Sequence, residues 1–143
     1  MKINVTKNYN YQALKDDACK KVDAAAELER EKYTTTTGAT LNSIYQCKID
    51  EALKFEKLSE EDKANVKQKD FPFLFAEMSS AGGSPQASAD VIIAAHTVWK
   101  THMARIEHVR RNTKVAIQLA LNDKTTIDNL LKNLNFNVTV TYD

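Results

Sequence analysis

Between Gln86 and Leu121 the chain contains neither proline nor glycine, and this stretch constrains the fold more than any other. Uninterrupted, it gives one helix of about 55 Å. Within it Ile92, Ala95, Trp99, His102, Ile106, Val109, Thr113, Ala116 and Ala120 follow one another at alternating spacings of three and four. Seven of these nine are apolar, and a seam held in register over four heptads is the pattern of a coiled coil or of a long bundle helix. The expectation is a homo-oligomer joined through Ile92, Trp99, His102, Ile106 and Val109. The internal alternative is a bundle in which earlier helices cover the same stripe. His102 and Thr113, polar within the seam, suit residues that fix register.

The remaining pattern is also mostly helical. From Tyr11 to Tyr33, residues Tyr11, Leu14, Ala18, Val22, Ala25 and Leu28 share one face, while the acid-before-base pairs Asp16–Lys20 and Asp17–Lys21 belong to solvent. Leu41, Ile44, Tyr45, Ile49, Ala52 and Phe55 repeat that face in a second helix. Between them Thr34–Gly38 reads as a helical corner, because threonine hydroxyls cap helices well and Gly38 takes positive φ without steric cost. Ser59 followed by three acids marks a short polar helix to about Gln68, and Pro72 and Pro85 each suit a first helical position, the second after a Ser84 cap. Thr126 is the expected cap of a last short helix through about Lys132. Leu134, Phe136, Val138 and Val140 then alternate with polar residues, as Ile3 and Val5 do near the start.

The expected fold is therefore mainly α, a single domain over 1–143. A helical hairpin with short helices fills 11–83, the long helix runs over 85–122, and candidate strands at 1–9 and 134–142 make a small terminal β element. At 143 residues, with three glycines and two prolines, the chain is large enough for one core and poor in turn material for a β fold.

Composition excludes several function classes. A net charge of +1 provides no global field toward nucleic acid or an anionic membrane, and no stretch approaches the roughly 20 apolar residues that cross a bilayer. "MKINVTKNYNY" lacks the apolar run of a signal peptide, so synthesis in a cytoplasm is expected. Cys19 and Cys47 stand alone in helical patterns, without metal-ligand or disulfide spacing. His96, His102 and His108 are six residues apart and so spread over three helix faces, where a metal or acid–base pair needs spacings of three or four. No nucleophile elbow or phosphate-cradling glycine loop is present. The chain reads as a non-enzyme with no cofactor and no metal.

Two features point to partners. "DFPFLFAEM" concentrates Phe71, Phe73 and Phe75, which make either an exposed aromatic docking patch or a plug closing the core. Lys100, Arg110, Arg111 and Lys114 form a basic stripe beside the seam. Such a stripe serves phosphate binding or pairing with acids on a neighbouring helix, and the balanced composition favours pairing over a nucleic-acid role.

A further set of marks runs in order over roughly residues 18 to 120: Val22-Asp23-Ala24-Ala25-Ala26-Glu27 leading to Arg30 and Tyr33-Thr34, then Gly38, Tyr45-Gln46 with Lys48, and Phe71-Pro72 followed by Leu74, Ala76 and Glu77. Ala89-Asp90-Val91, Trp99, Ile106-Glu107, Arg110, Lys114 and Ala116-Ile117 continue the order. With these marks the chain resembles a helical domain family encoded in tail-fibre regions of tailed bacteriophages and prophages. Family members usually carry a proline before the turn glycine, where this chain has Thr37. The resemblance implies a virion protein or a helper in fibre assembly, made in the host cytoplasm, whose partners are other phage tail or fibre proteins. It also favours a trimer, the state common in phage fibres, and it supplies no catalytic residues. Two other readings compete: a small phage-encoded binder that inhibits a host enzyme or defence protein, and a nucleic-acid accessory acting through the basic stripe.

Overall fold

The computed structural model describes residues 10–34 and 39–141, with backbone alone for 39–41. Among them the structure is mainly helical. The helices are α1 (Tyr11–Glu31), α2 (Ala39–Glu56), α3 (Glu60–Ala64), α4 (Pro72–Ala81), α5 (Pro85–Leu119) and α6 (Lys124–Lys132). The chain gathers into two compact units. A central unit spans Thr34–Thr101, and a terminal unit joins Met1–Tyr33 to His102–Asp143. The first part of α5 belongs to the former and the rest to the latter.

Local chemistry accounts for the helix ends. Ser59 and Ser84 accept hydrogen bonds from the backbone N–H groups of Asp62 and Ala87, so both expected serine caps are present. Pro72 opens α4 and Pro85 opens α5, where a missing N–H costs nothing. After Ala81 the chain turns through Gly82 at φ 113° and Gly83 at φ 85°, and Met78 O receives the Gly83 N–H at 2.7 Å. Only glycine adopts this pair of left-handed conformations without strain. The cap of α6 is Asp123, not Thr126: the Asp123 carboxylate accepts from Thr125 N and from the Thr126 hydroxyl. An ionised acid satisfies the N-terminal donors and the helix dipole together, which a hydroxyl does less well. α3 ends at Ala64, short of Gln68.

In the central unit Ile49, Ala52, Phe55, Phe71, Leu74, Ala89 and Ile92 form the core. On the expected face of α2, Ile49, Ala52 and Phe55 are buried, and Tyr45 packs against them. Phe55 and Phe71 meet edge to face, with centroids 6.0 Å apart, and Lys54 and Lys63 extend their ammonium groups over the two rings. No side chain caps α4 from its own N-cap position. Glu51 of α2 replaces that cap, its carboxylate accepting from Phe73 N at 2.9 Å and Leu74 N at 3.3 Å. Lys48 pairs with Glu77 from the same face of α2.

The terminal unit packs α1 on α6 and on the C-terminal part of α5, around Ala18, Cys19, Val22, Ile117 and Ile127. Its buried face on α1 is Lys15, Ala18, Cys19, Val22, Ala26 and Glu29, turned by about 60° from the expected stripe. Leu28 consequently stands 65% exposed. The rotation has an electrostatic cause. Lys15 is buried because its ammonium donates to Ala120 O at 2.7 Å and Gln118 O at 3.3 Å, carbonyls that the end of α5 leaves unsatisfied. The helix stops at Leu119, two residues before the last position its sequence allowed.

No strand occurs among the described residues, which corrects the candidate strand 134–142 over 134–141; Tyr142 lies outside the described residues. Asn135 takes the Asn137 N–H with its side chain, and Phe136 O receives Arg105, so the segment's backbone is engaged locally instead of in a ladder. Val138 is 37% exposed. The candidate strand 1–9 and corner residues 35–38 lie outside the described residues. Each helix flanking that corner finds packing partners within its own unit.

Candidate functional site

Cross-helix bonds make α1 and α5 antiparallel neighbours in the terminal unit. Asp16 accepts from Gln118 at 3.1 Å, Cys19 Sγ lies 3.8 Å from Lys114 O, and Arg30 reaches Glu107 at 2.9 Å. Between these levels Asp23 holds both Arg110 (2.8 Å) and Lys114 (2.9 Å). Arg110 also grips Glu107 through two bonds of 2.8 Å, the fork-to-fork geometry that makes arginine–carboxylate pairs strong.

This lattice fixes the fate of the basic stripe. Arg110 and Lys114 are engaged by acids of the same chain, as the pairing reading expected. Arg111 is exposed and makes no salt bridge among the described residues, while Lys100 is exposed and belongs to the central unit. The stripe is thus divided. The bonds shift the charged groups in the expected directions. Hydrogen bonds from Lys114 and Arg110 hold Asp23 below the usual carboxylate value; Arg110 does the same to Glu107. Arg110 itself is raised, chiefly by Glu107 and then by Asp23.

Beside the lattice runs a groove of about 500 Å³ lined by Asp16, Cys19, Lys20 and Asp23 of α1 and by Lys114, Val115, Gln118 and Leu119 of α5. Val115 is 55% exposed and Leu119 81%. An apolar rim over acid and base walls suits a protein surface better than a small polar metabolite.

The other expected site residues fall elsewhere. Ile92, Ile106 and Val109 are buried within a single copy of the chain, so these three seam residues pack inside their own units. Trp99 is half-buried in the central unit against Tyr45 and His96. His102 stacks on Tyr33 at 3.9 Å and its Nδ1 lies 3.1 Å from an Arg105 nitrogen. Phe71 is buried and Phe75 packs on the central core, while Phe73 is half-buried. The aromatic run is the plug, not an open docking patch. Of the histidines, His108 is exposed beside Asn112, and His96 has an Nδ1 with no hydrogen-bond partner among the described residues. Burial lowers the pKa of His96, with Lys100 adding to the effect.

The residues that sequence reasoning missed are Lys15, Asp23 and Glu51. Lys15 sits between Leu14 and Ala18, and a cation inside an apolar row was the available signal. The other two had no local signal, since their partners are 87 and 22 residues away. Among the described residues no cluster of histidine, cysteine or carboxylate side chains could hold a metal, and no helix is long and apolar enough to cross a membrane.

No protein-family model, curated protein or solved structure matches the chain.

Proposed function

We propose that this protein is a non-enzymatic component of a phage tail, either a structural part or an assembly partner of the tail fibre, acting by association with other proteins. The observation that carries the reading is where the resembling residues lie. Val22, Ala26, Ile106 and Ile117 are buried in the terminal unit, with Asp23, Arg30, Glu107, Arg110 and Lys114 forming its ion lattice. Phe71, Leu74 and Ala89 are buried in the central unit, braced by Lys48 and Glu77. The marks are those of a scaffold. Large aliphatic side chains meanwhile remain on the outside, with Leu119 81%, Leu121 78% and Val98 59% exposed, and such surface supports association.

A trimer through the heptad seam is not part of the proposal, since Ile92, Ile106 and Val109 are committed to intrachain packing. Mass spectrometry of purified particles, with affinity capture of the protein during fibre assembly, tests the assignment. Its presence in virions or in a complex with fibre protein is expected. Absence from both refutes it, and stable capture of a host enzyme or defence protein moves the assignment to the inhibitor reading.

A further inference from the structure

We propose that the groove between α1 and the C-terminal part of α5 seats a second, antiparallel copy of itself, so that the protein forms a two-fold homodimer. This deepens the association reading and rests on it for biological context alone; the geometry stands by itself. Residues four apart on a helix lie one turn apart on the same face. Val115 and Leu119 are such a pair on α5, and Asp16 and Lys20 are such a pair on α1. Their midpoints, Ile117 and Ala18, stand at one level. The bond from Gln118 to Asp16 lies on one side of it and the contact from Cys19 to Lys114 O on the other.

A single two-fold axis through that level therefore serves both rows. It brings Asp16 against the second copy's Lys20 and Lys20 against its Asp16, while each Leu119 meets the opposite Val115. This reciprocity is what an isologous interface requires, and it sets acid against base with no like charges opposed. The charged groups are available for it. Gln12 and Gln118 both bind Oδ1 of Asp16; Oδ2 has no hydrogen bond among the described residues, and Lys20 forms no salt bridge there. Leu119, 81% exposed on the rim of the groove, is the apolar side chain that each copy offers to the other.

Sedimentation velocity on the full chain over a concentration series is the test. The expected result is a monomer–dimer equilibrium. Leu119→Asp gives monomer throughout the same range, with unchanged helical circular dichroism because the site is exposed. Lys20→Asp weakens the dimer by about tenfold or more in Kd, since it sets acid against acid, and the double change Asp16→Lys with Lys20→Asp restores it. A monomer at every concentration overturns the proposal, as does a trimer or a dimer indifferent to these changes. A monomeric protein found in virions removes the dimer and keeps the tail assignment; a dimer absent from virions and fibre complexes does the reverse.

Discussion

Replacing Lys15 by methionine tests how the terminal unit is held. Lys15 is 7% exposed, and its ammonium donates to Ala120 O at 2.7 Å and Gln118 O at 3.3 Å. Methionine keeps a flexible apolar stem of similar length and removes the donor, leaving the last carbonyls of α5 to water. A hydrogen bond to a charged group contributes about 1.5–3 kcal/mol, and a cation at a helix C-terminus adds about 0.3–1 kcal/mol. Relief of the desolvation of a mostly buried ammonium works in the opposite direction and cancels much of this. The balance is a destabilisation of about 1–2 kcal/mol, or a fall in Tm of roughly 2–8 °C for a chain of this size. Thermal unfolding followed by circular dichroism measures it, with exposed Lys21→Met as the control that leaves Tm unchanged. A Lys15→Met protein melting at or above the parent temperature would refute the argument, because it would mean that desolvation outweighs both bonds.

In the central unit, Glu51→Ala removes the only side-chain cap described for α4 and is expected to cost about 1 kcal/mol, read as a lower urea midpoint. Asp23 and Glu107 have depressed folded-state pKa values, from Lys114 and from Arg110 respectively. Their contribution to stability is complete above the unfolded carboxylate values of about 4 and is lost as pH falls through the lower folded values. Asp23→Asn should flatten the acid side of a urea-midpoint profile, and an unchanged profile would show that the lattice contributes nothing. His96 stacks on Trp99, the chain's one tryptophan, with centroids 5.8 Å apart. Since burial lowers its pKa, protonation should quench Trp99 fluorescence below the ordinary histidine value of about 6.5, and His96→Gln should abolish that step. As a base depressed in the folded state, it makes the protein less stable as pH falls through its unfolded value.

The sequence by itself determined the helices and most of their ends. Serine caps at Ser59 and Ser84, prolines at first helical positions, and the Gly82–Gly83 reversal act over four or five residues, so local chemistry suffices to place them. The buried face of α2 was legible for the same reason, its apolar residues being unopposed by any buried charge. The seam was legible as a periodicity but not as an interface. A heptad row states that something covers Ile92, Ile106 and Val109, and it is silent on whether the cover is another copy or the same chain. The Phe71–Phe75 segment carried the same ambiguity, which packing settled in favour of the interior.

Only the tertiary structure decided where the charges go. Lys15 turned α1 by most of a quadrant because two carbonyls more than 100 residues away needed a donor. Asp23 divided the basic stripe by taking Arg110 and Lys114, and Glu51 capped a helix to which it does not belong. The alternation at 134–140 did not become a strand, because a ladder needs a partner edge and Arg105 and Asn135 had already engaged the backbone. Periodicity reports which residues leave water. The identity of the group that satisfies a buried ion or an open helix end is a long-range property, fixed only when distant segments meet.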